Sequence, residues 1–376
     1  MILFLYEIFD INILQYVTFR AAAAAITALL ISFLLGPKII RTLHNHHIGE
    51  SIRENGPSSH YLKEGTPTMG GIIIILSIIL PTILWSKYDN MHVWIISIAT
   101  LLMAMVGFVD DYLKIVKKLS KGLIARYKLI CQVLVGSFIA FMVLNYIENP
   151  IIFVDSSQDS IKSISNTSIS LPFIMNGFME IPKAFYVLLV VIVITATSNS
   201  VNLTDGLDGL ATGLSAISIL TMGAIAYASG RSDFSDYLNI LYIKGADELL
   251  IFSFAAIGAC LGFLWYNSHP ASIFMGDTGS LALGTALGTL AVLLKKEILL
   301  IIIGGVFVIE SLSVIIQVLY FKYTKNKYGV GKKIFLMAPI HHHFEEKGLS
   351  ESKVVIRFWI IGILLALFSL SSFKLQ

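Results

Sequence analysis

Residues 183–228 read KAFYVLLVVIVITATSNSVNLTDGLDGLATGLSAISILTMGAIAYA. Two apolar runs, 183 to 198 and 210 to 228, approach the length a helix needs to cross a hydrocarbon core of about 30 Å. Between them sits a polar knot holding Asn202, Asp205, Gly206, Asp208 and Gly209. If both runs span a membrane, the knot is a tight loop at one membrane surface and its carboxylates stand at the interface.

The same pattern extends over all 376 residues, of which 56% are hydrophobic and only 14% charged, against about a quarter charged in ordinary soluble domains. Ten apolar runs are long enough to be spans: roughly 16–37, 70–86, 93–109, 128–147, 183–198, 210–228, 248–266, 278–294, 298–321 and 353–373. The expected fold is therefore all-α, a polytopic integral membrane protein of about ten transmembrane helices forming one domain over 1–376. Ten spans put both termini on one side.

Loops near 38–69, 110–128 and 322–353 hold 17 Lys and Arg, whereas the opposite loops and the C-terminal tail hold eight. The positive-inside rule makes the first set cytoplasmic and both termini periplasmic or extracellular. These basic residues read mainly as topology and contacts to membrane lipids, so no nucleic-acid partner is expected. Cys131 and Cys260 fall inside apolar runs and read as packing residues. The external segment 148–182 reads as a polar surface excursion.

The dense polar motifs, which did not enter the drawing of the spans, all fall on the cytoplasmic side. They are GTPTMGG (65–71), DDYLK (110–114), NSVNLTDGLDG (199–209), NSHPASIFMGDTGS (267–280) and MAPIHHHFEEKG (337–348). Five loops from distant parts of the chain thus carry Asp110, Asp111, Asp205, Asp208 and Asp277 to one membrane face, as an interfacial active site requires.

Asp110 and Asp111 point about 100° apart on a helix and cannot serve one point, while Lys114 lies one turn beyond. A helix end with a local ion pair is one reading; two adjacent carboxylates facing a cation or a proton-transfer task is the other. Asn202, Asp205 and Asp208 are spaced by three and would share a face if the following span starts early. A helix cap accounts for one of these acids but not for both. In FMGDTGS, Gly276 and Gly279 flank Asp277 at the start of a span, so helix amides beside an acid would attract phosphate. Mg²⁺ bridging that acid and phosphate oxygens fits such a site and points to a nucleotide or diphosphate substrate. His341, His342 and His343 fan out over about 200° on a helix and cannot all bind one ion. Hydrogen bonding to phosphate suits them better than structural zinc.

The motifs KEGTPTMGG, FVDDYLK, NLTDGLDG, FMGDTGS and PIHHHFE, in this order, resemble the phospho-N-acetylmuramoyl-pentapeptide-transferase family, from about residue 18 to the last span. That family belongs to the polyprenyl-phosphate N-acetylhexosamine-1-phosphate transferases. GTPTMGG and PIHHHFE point to the muramoyl-pentapeptide branch. The resemblance implies a Mg²⁺-dependent inner-membrane enzyme that moves phospho-MurNAc-pentapeptide from UDP-MurNAc-pentapeptide to undecaprenyl phosphate, giving lipid I and UMP. It is compatible with a homodimer.

By the same resemblance, Asp110, Asp111, Asp277 and His341 are the catalytic positions, and Asp277 is the metal ligand. Lys63, Thr68, Lys128, Asn202, Asp205, Asp208, Asn267, Phe274, Gly276, His342 and His343 are the implied substrate contacts. The expected reaction is a single displacement with Asp110 or Asp111 orienting or deprotonating the lipid phosphate; a covalent phospho-aspartate is the alternative. A secondary transporter would place its acids near the bilayer midplane in repeated halves, and neither feature is present. A sister transferase using another UDP-N-acetylhexosamine differs only in donor.

Overall fold

The computed structural model describes residues 12–45, 65–119, 122–147, 151–155, 160–174 and 177–375. Helices cover every one of the ten apolar runs. In chain order they are α1 (Val17–Asn45), α2 (Gly71–Trp85), α3 (Met91–Ile115), α4 (Ala125–Tyr146), α5 (Lys183–Thr204) and α6 (Leu210–Ser229). A short α7 (Ser232–Tyr237) precedes α8 (Leu249–Asn267), α9 (Gly276–Leu293), a one-turn α10 (Leu300–Ile303), α11 (Gly305–Tyr328), α12 (Ile340–Glu346) and α13 (Glu351–Ser371).

Eight helices are long and apolar enough to cross a membrane: α1, α3, α4, α5, α6, the segment Ala246–Asn267 containing α8, α11 and α13. The chain is a multi-pass membrane protein by that measure. Two of the ten runs fall short for different reasons. Helix α2 has only 15 residues, and α9, GDTGSLALGTALGTLAVL, is diluted by glycine and threonine.

That dilution makes α9 the hub of the bundle. Every residue from Thr278 to Leu293 is buried, and α9 packs on α3, α5, α2 and α6. Its glycines allow backbones to meet, the usual basis of close helix contact where lipid removes the hydrophobic drive. A methyl group on Gly284 would lie 2.5 Å from the Thr197 carbonyl of α5, and one on Gly279 would lie 2.9 Å from Gly71 Cα at the start of α2. A methyl on Gly107 of α3 would collide with the Asp277 carbonyl. Around this hub, α1 and α2 pack on α8, α8 packs on α6, and α4 packs on α5.

The all-α expectation needs one amendment. The excursion between α4 and α5 forms two antiparallel hairpins, β1 (Ile151–Asp155) with β2 (Ser160–Ile164), and β3 (Ser168–Ser170) with β4 (Phe178–Glu180). Ile151 stands opposite Ile164 in the first hairpin and Ile169 opposite Met179 in the second. Phe153 and Phe178 join the hairpins, ring centroids 5.0 Å apart. Ile152 exchanges backbone hydrogen bonds with Tyr242, tying this excursion to the loop after α7. Short β-branched and aromatic stretches among serines satisfy their backbones by pairing here.

Buried ionic groups hold this end of the bundle. Arg20 of α1, fully buried, makes a bidentate pair with Glu248 just before α8 and also donates to the Trp85 carbonyl at 3.0 Å. The Lys87 amide donates to Glu248 Oε2 at 3.0 Å. Lys295 donates to the Asn166 carbonyl (2.6 Å) and the Tyr186 hydroxyl (2.7 Å), fastening the hairpins to the turn after α9. Removing one partner of a buried pair strands the other charge. Glu248→Ala is therefore expected to destabilise the protein by about 3–5 kcal/mol, measured as a lowered Tm in detergent, while Lys87→Ala, at an exposed position, changes it little.

Candidate active site

The last turns of helix α3 read Val-Asp-Asp-Tyr-Leu-Lys-Ile, and its two aspartates separate as their 100° spacing requires. Asp111 turns inward. Its carboxylate accepts from the Asp277 amide (3.0 Å), the Thr278 amide (2.9 Å) and the Thr278 hydroxyl (2.6 Å), capping α9 from another helix. This corrects one expectation. Two of the α9 amides expected to receive phosphate, those of Asp277 and Thr278, are taken by the protein's own Asp111 carboxylate. Gly276, at φ +72°, allows the approach: a Cβ there would lie 2.8 Å from Asp111 Oδ2 and 3.0 Å from Thr68 Oγ1.

Asp110 turns toward the loop that precedes α4. It is fully buried, and its Oδ1 accepts from the Leu123 amide at 2.6 Å. Its Oδ2 meets Lys114 Nζ (2.7 Å) and Lys128 Nζ (2.8 Å). Both ammonium groups also reach Asp277 Oδ2, each at 2.8 Å. Two acids from distant spans thus share two lysines. Asn202 Nδ2 completes the group by donating to Asp277 Oδ1 at 2.6 Å and to Ser280 Oγ at 2.8 Å.

Asn202, Asp205 and Asp208 do not share a face. Helix α5 runs to Thr204 and α6 begins only at Leu210. Asp205 is the cap of α5, and the chain turns through Gly209 at φ +77°. Asn202 therefore faces Asp277, while Asp208 Oδ2 faces His269 Nδ1 (3.0 Å) and the Ala271 amide (3.1 Å). Asn267, buried, accepts from the Gly209 amide (3.1 Å) and Thr212 (3.2 Å) and donates to the Ile273 carbonyl (2.9 Å). It braces two loops against each other. The GTPTMGG strip runs alongside: the Phe274 amide donates to the Pro67 carbonyl and the Gly70 amide to the Phe274 carbonyl, both at 2.8 Å. Thr68, buried, and Phe274, half-buried, lie in this strip pairing. Lys63 lies outside the described residues.

The histidines behave as three separate groups. His341, buried, pairs through Nδ1 with Glu310 Oε2 of α11 at 3.0 Å. His342 pairs through Nδ1 with Glu345 Oε2 at 2.8 Å, and His343 Nδ1 accepts from the Leu336 amide at 3.1 Å. Desolvation, and then Lys347, hold the His343 pKa below the ordinary histidine value. Glu310 escaped the sequence reading, although a single acid inside the apolar run VFVIESLSV is itself a signal.

A group of three potential metal donors among the described residues, with atoms within 4.8 Å of one another, is Asp208, His269 and Glu351. Its donors are engaged: Glu351 Oε1 accepts from the Asp208 amide at 2.7 Å, and Asp208 accepts from Ala271 and meets His269. The group clamps the 205–209 turn to the 267–271 loop and to the start of α13.

Two lysines shared between two carboxylates, at helix ends beside paired loops, concentrate positive charge that can be turned toward an anion. The glycosyl transferase family 4 model matches residues 93–295, and the phospho-N-acetylmuramoyl-pentapeptide-transferase signature 1 matches residues 63–75. The chain is 49% identical over 372 residues to the phospho-N-acetylmuramoyl-pentapeptide-transferase of Chlorobium chlorochromatii, covering 99% of this chain and 97% of the relative. The chain belongs to the phospho-N-acetylmuramoyl-pentapeptide-transferase family. The proteins of that name from Chloroherpeton thalassium (49% identity; 98% and 97% coverage) and Chlorobaculum parvum (47%; 97% and 95%) are similar to the same extent.

Within this family member, the Gly107 contact sets how closely Asp277 stands to Asp110. Gly107→Ala forces α3 and α9 apart, an overpacking costing about 1–3 kcal/mol. The expected outcome is transferase activity lost well beyond any fall in Tm, checked by assaying turnover at a temperature where the variant remains folded.

Proposed function

We propose that the chain transfers phospho-N-acetylmuramoyl-pentapeptide from UDP-MurNAc-pentapeptide to undecaprenyl phosphate, giving lipid I and UMP, the first membrane step of peptidoglycan synthesis. The observation that carries this reading is the Asp110–Lys114/Lys128–Asp277 cluster in a chain related over nearly its whole length to transferases of that name. It acts in the bacterial inner membrane as one domain with ten spans and both termini outside. The coincidence of helices with the ten apolar runs and the sidedness of lysine and arginine support that topology. Cysteines introduced at the 163–170 hairpins are then expected to react with an impermeant maleimide in intact cells, and one at 347 only after lysis.

Two anionic phosphates must meet, so charge repulsion is the first obstacle. Lys114 and Lys128 meet it directly, because each ammonium can turn from a carboxylate to a phosphate oxygen. Asp110 and Asp277 keep both lysines at the point of reaction, and Asn202 fixes the Asp277 carboxylate. A lipid phosphate is already largely dianionic at pH 7, given a second pKa near 6, so Asp110 serves the reaction chiefly by orientation. Each oxygen of Asp110 already accepts a hydrogen bond or ion pair. That supports direct attack of the lipid phosphate on the donor over a phospho-aspartate.

Mg²⁺ fits this cluster: Asp110 Oδ2 and Asp277 Oδ2 are hard oxygens aimed at the same two positive charges, and Mg²⁺ favours one or two carboxylates plus substrate oxygens. Asp277 would hold it, with Asp110 beside it, and the ion would neutralise diphosphate charge. The Asp208, His269 and Glu351 group suits Mg²⁺ less well, since one of its donors is an imidazole and Mg²⁺ favours oxygen ligands.

Asp277→Asn is expected to lower turnover by at least about 100-fold and to abolish metal dependence in a UMP-release assay; near-normal turnover would falsify the assignment. Comparing UDP-MurNAc-pentapeptide with UDP-N-acetylglucosamine as donor separates this function from a sister transferase. UMP exchange in rigorously lipid-free protein would support the covalent route.

A further inference from the structure

Outside the aspartate cluster, two buried polar atoms lack a hydrogen-bond partner at the edge of the same site: His341 Nε2 and Glu310 Oε1. Both side chains are fully buried, and they touch through His341 Nδ1 and Glu310 Oε2 at 3.0 Å. An ionised carboxylate can only accept, so the imidazole proton lies on Nδ1 and Nε2 is the atom left over. A buried unsatisfied nitrogen is rare enough in native proteins to require a reason.

Its surroundings supply one. Nε2 is pressed against Gly206, where any Cβ would collide with it; the same Cβ would lie 3.3 Å from His342 Nε2. His342 is backed in the same way, Nδ1 against Glu345 Oε2 at 2.8 Å, and the two rings stand 4.1 Å apart. Two carboxylate-backed imidazoles therefore turn their Nε2 atoms toward one glycine, between Asp205 and Asp208. Glycine is the residue that leaves those nitrogens room.

We infer that Glu310 is a positioning residue of the transferase: from inside an apolar helix it keeps His341 Nδ1–H on its carboxylate, so that Nε2 is the nitrogen left to take up a proton and donate it in a hydrogen bond to a substrate phosphate entering beside the 205–209 turn. A carboxylate behind an imidazole is worth more than its hydrogen bond alone, because it fixes the ring's orientation and stabilises the imidazolium whose Nε2–H a phosphate oxygen accepts. The inference rests on the transferase reading and adds to it a residue that never touches substrate. Glu310 acts through the ring, and Gly206 sets where the ring stops.

The test uses histidine-selective ¹⁵N NMR on the full chain in detergent, with His341 assigned by its loss in His341→Asn. In the wild type, His341 is expected to carry its proton on Nδ1. In Glu310→Gln, the Nε2-protonated tautomer should gain a major share. The same variant should lower kcat by on the order of tenfold to a hundredfold with KM for the UDP-sugar within about threefold. Gly206→Ala pushes the same ring from the other side without touching Glu310, so its kcat loss and that of Glu310→Gln should be clearly less than additive. Wild-type His341 with its proton on Nε2, an unchanged tautomer in Glu310→Gln, or fully additive losses each overturn the proposal. Should Glu310→Gln not fold, the wild-type tautomer still decides. Failure of the transferase reading would show separately, as wild-type protein releasing no UMP, since the tautomer is measured without turnover.

Discussion

The site depends on one carboxylate that caps a helix other than its own. Asp111 accepts the first amides of α9 and the Thr278 hydroxyl, and so fixes where that helix begins. Asp277, the second residue of α9, is then delivered beside Asp110, the immediate neighbour of the capping residue. The pair divides its work by helix geometry: one member turned 100° from the other can build the scaffold while the other holds lysines. Without the cap, α9 would open with unsatisfied amides in a buried position, and Asp277 would have no fixed height.

Around this cap the remaining groups fall into those that hold charge and those that hold loops. Lys114 and Lys128 balance Asp110 and Asp277, and Asn202 steers Asp277. Asn267, Asp208, His269 and Glu351 lash the short loops together. A family of polar residues on one membrane face thus contains two populations with different tasks, although all look alike as sequence motifs.

The positions of the helices were legible because hydrocarbon imposes a length and a composition on any helix that crosses it. Convergence of the five polar loops followed from the same spans. Lateral neighbours were not legible, since hydropathy carries no information about which helix packs on which; that α9 is the hub follows from Gly279 and Gly284 meeting specific backbones. The roles inside Asp110-Asp111 were open for the same reason. The α9 amides seemed free in sequence because their cap is 166 residues away, and the 202–208 acids seemed coplanar because the turn at Gly209 cannot be read from spacing. The hairpins at 151–180 are too short and too serine-rich to register as strands until they find partners.

At Gly107 and Asp277, α3 meets α9 backbone on backbone. A separation set by peptide groups in van der Waals contact does not depend on side-chain rotamers, and it leaves no compressible layer between the helices. Bilayers of different thickness tilt their helices to different degrees. Here the backbone contact couples any tilt of α3 to α9, which favours a constant spacing of the two carboxylates across lipids of different thickness.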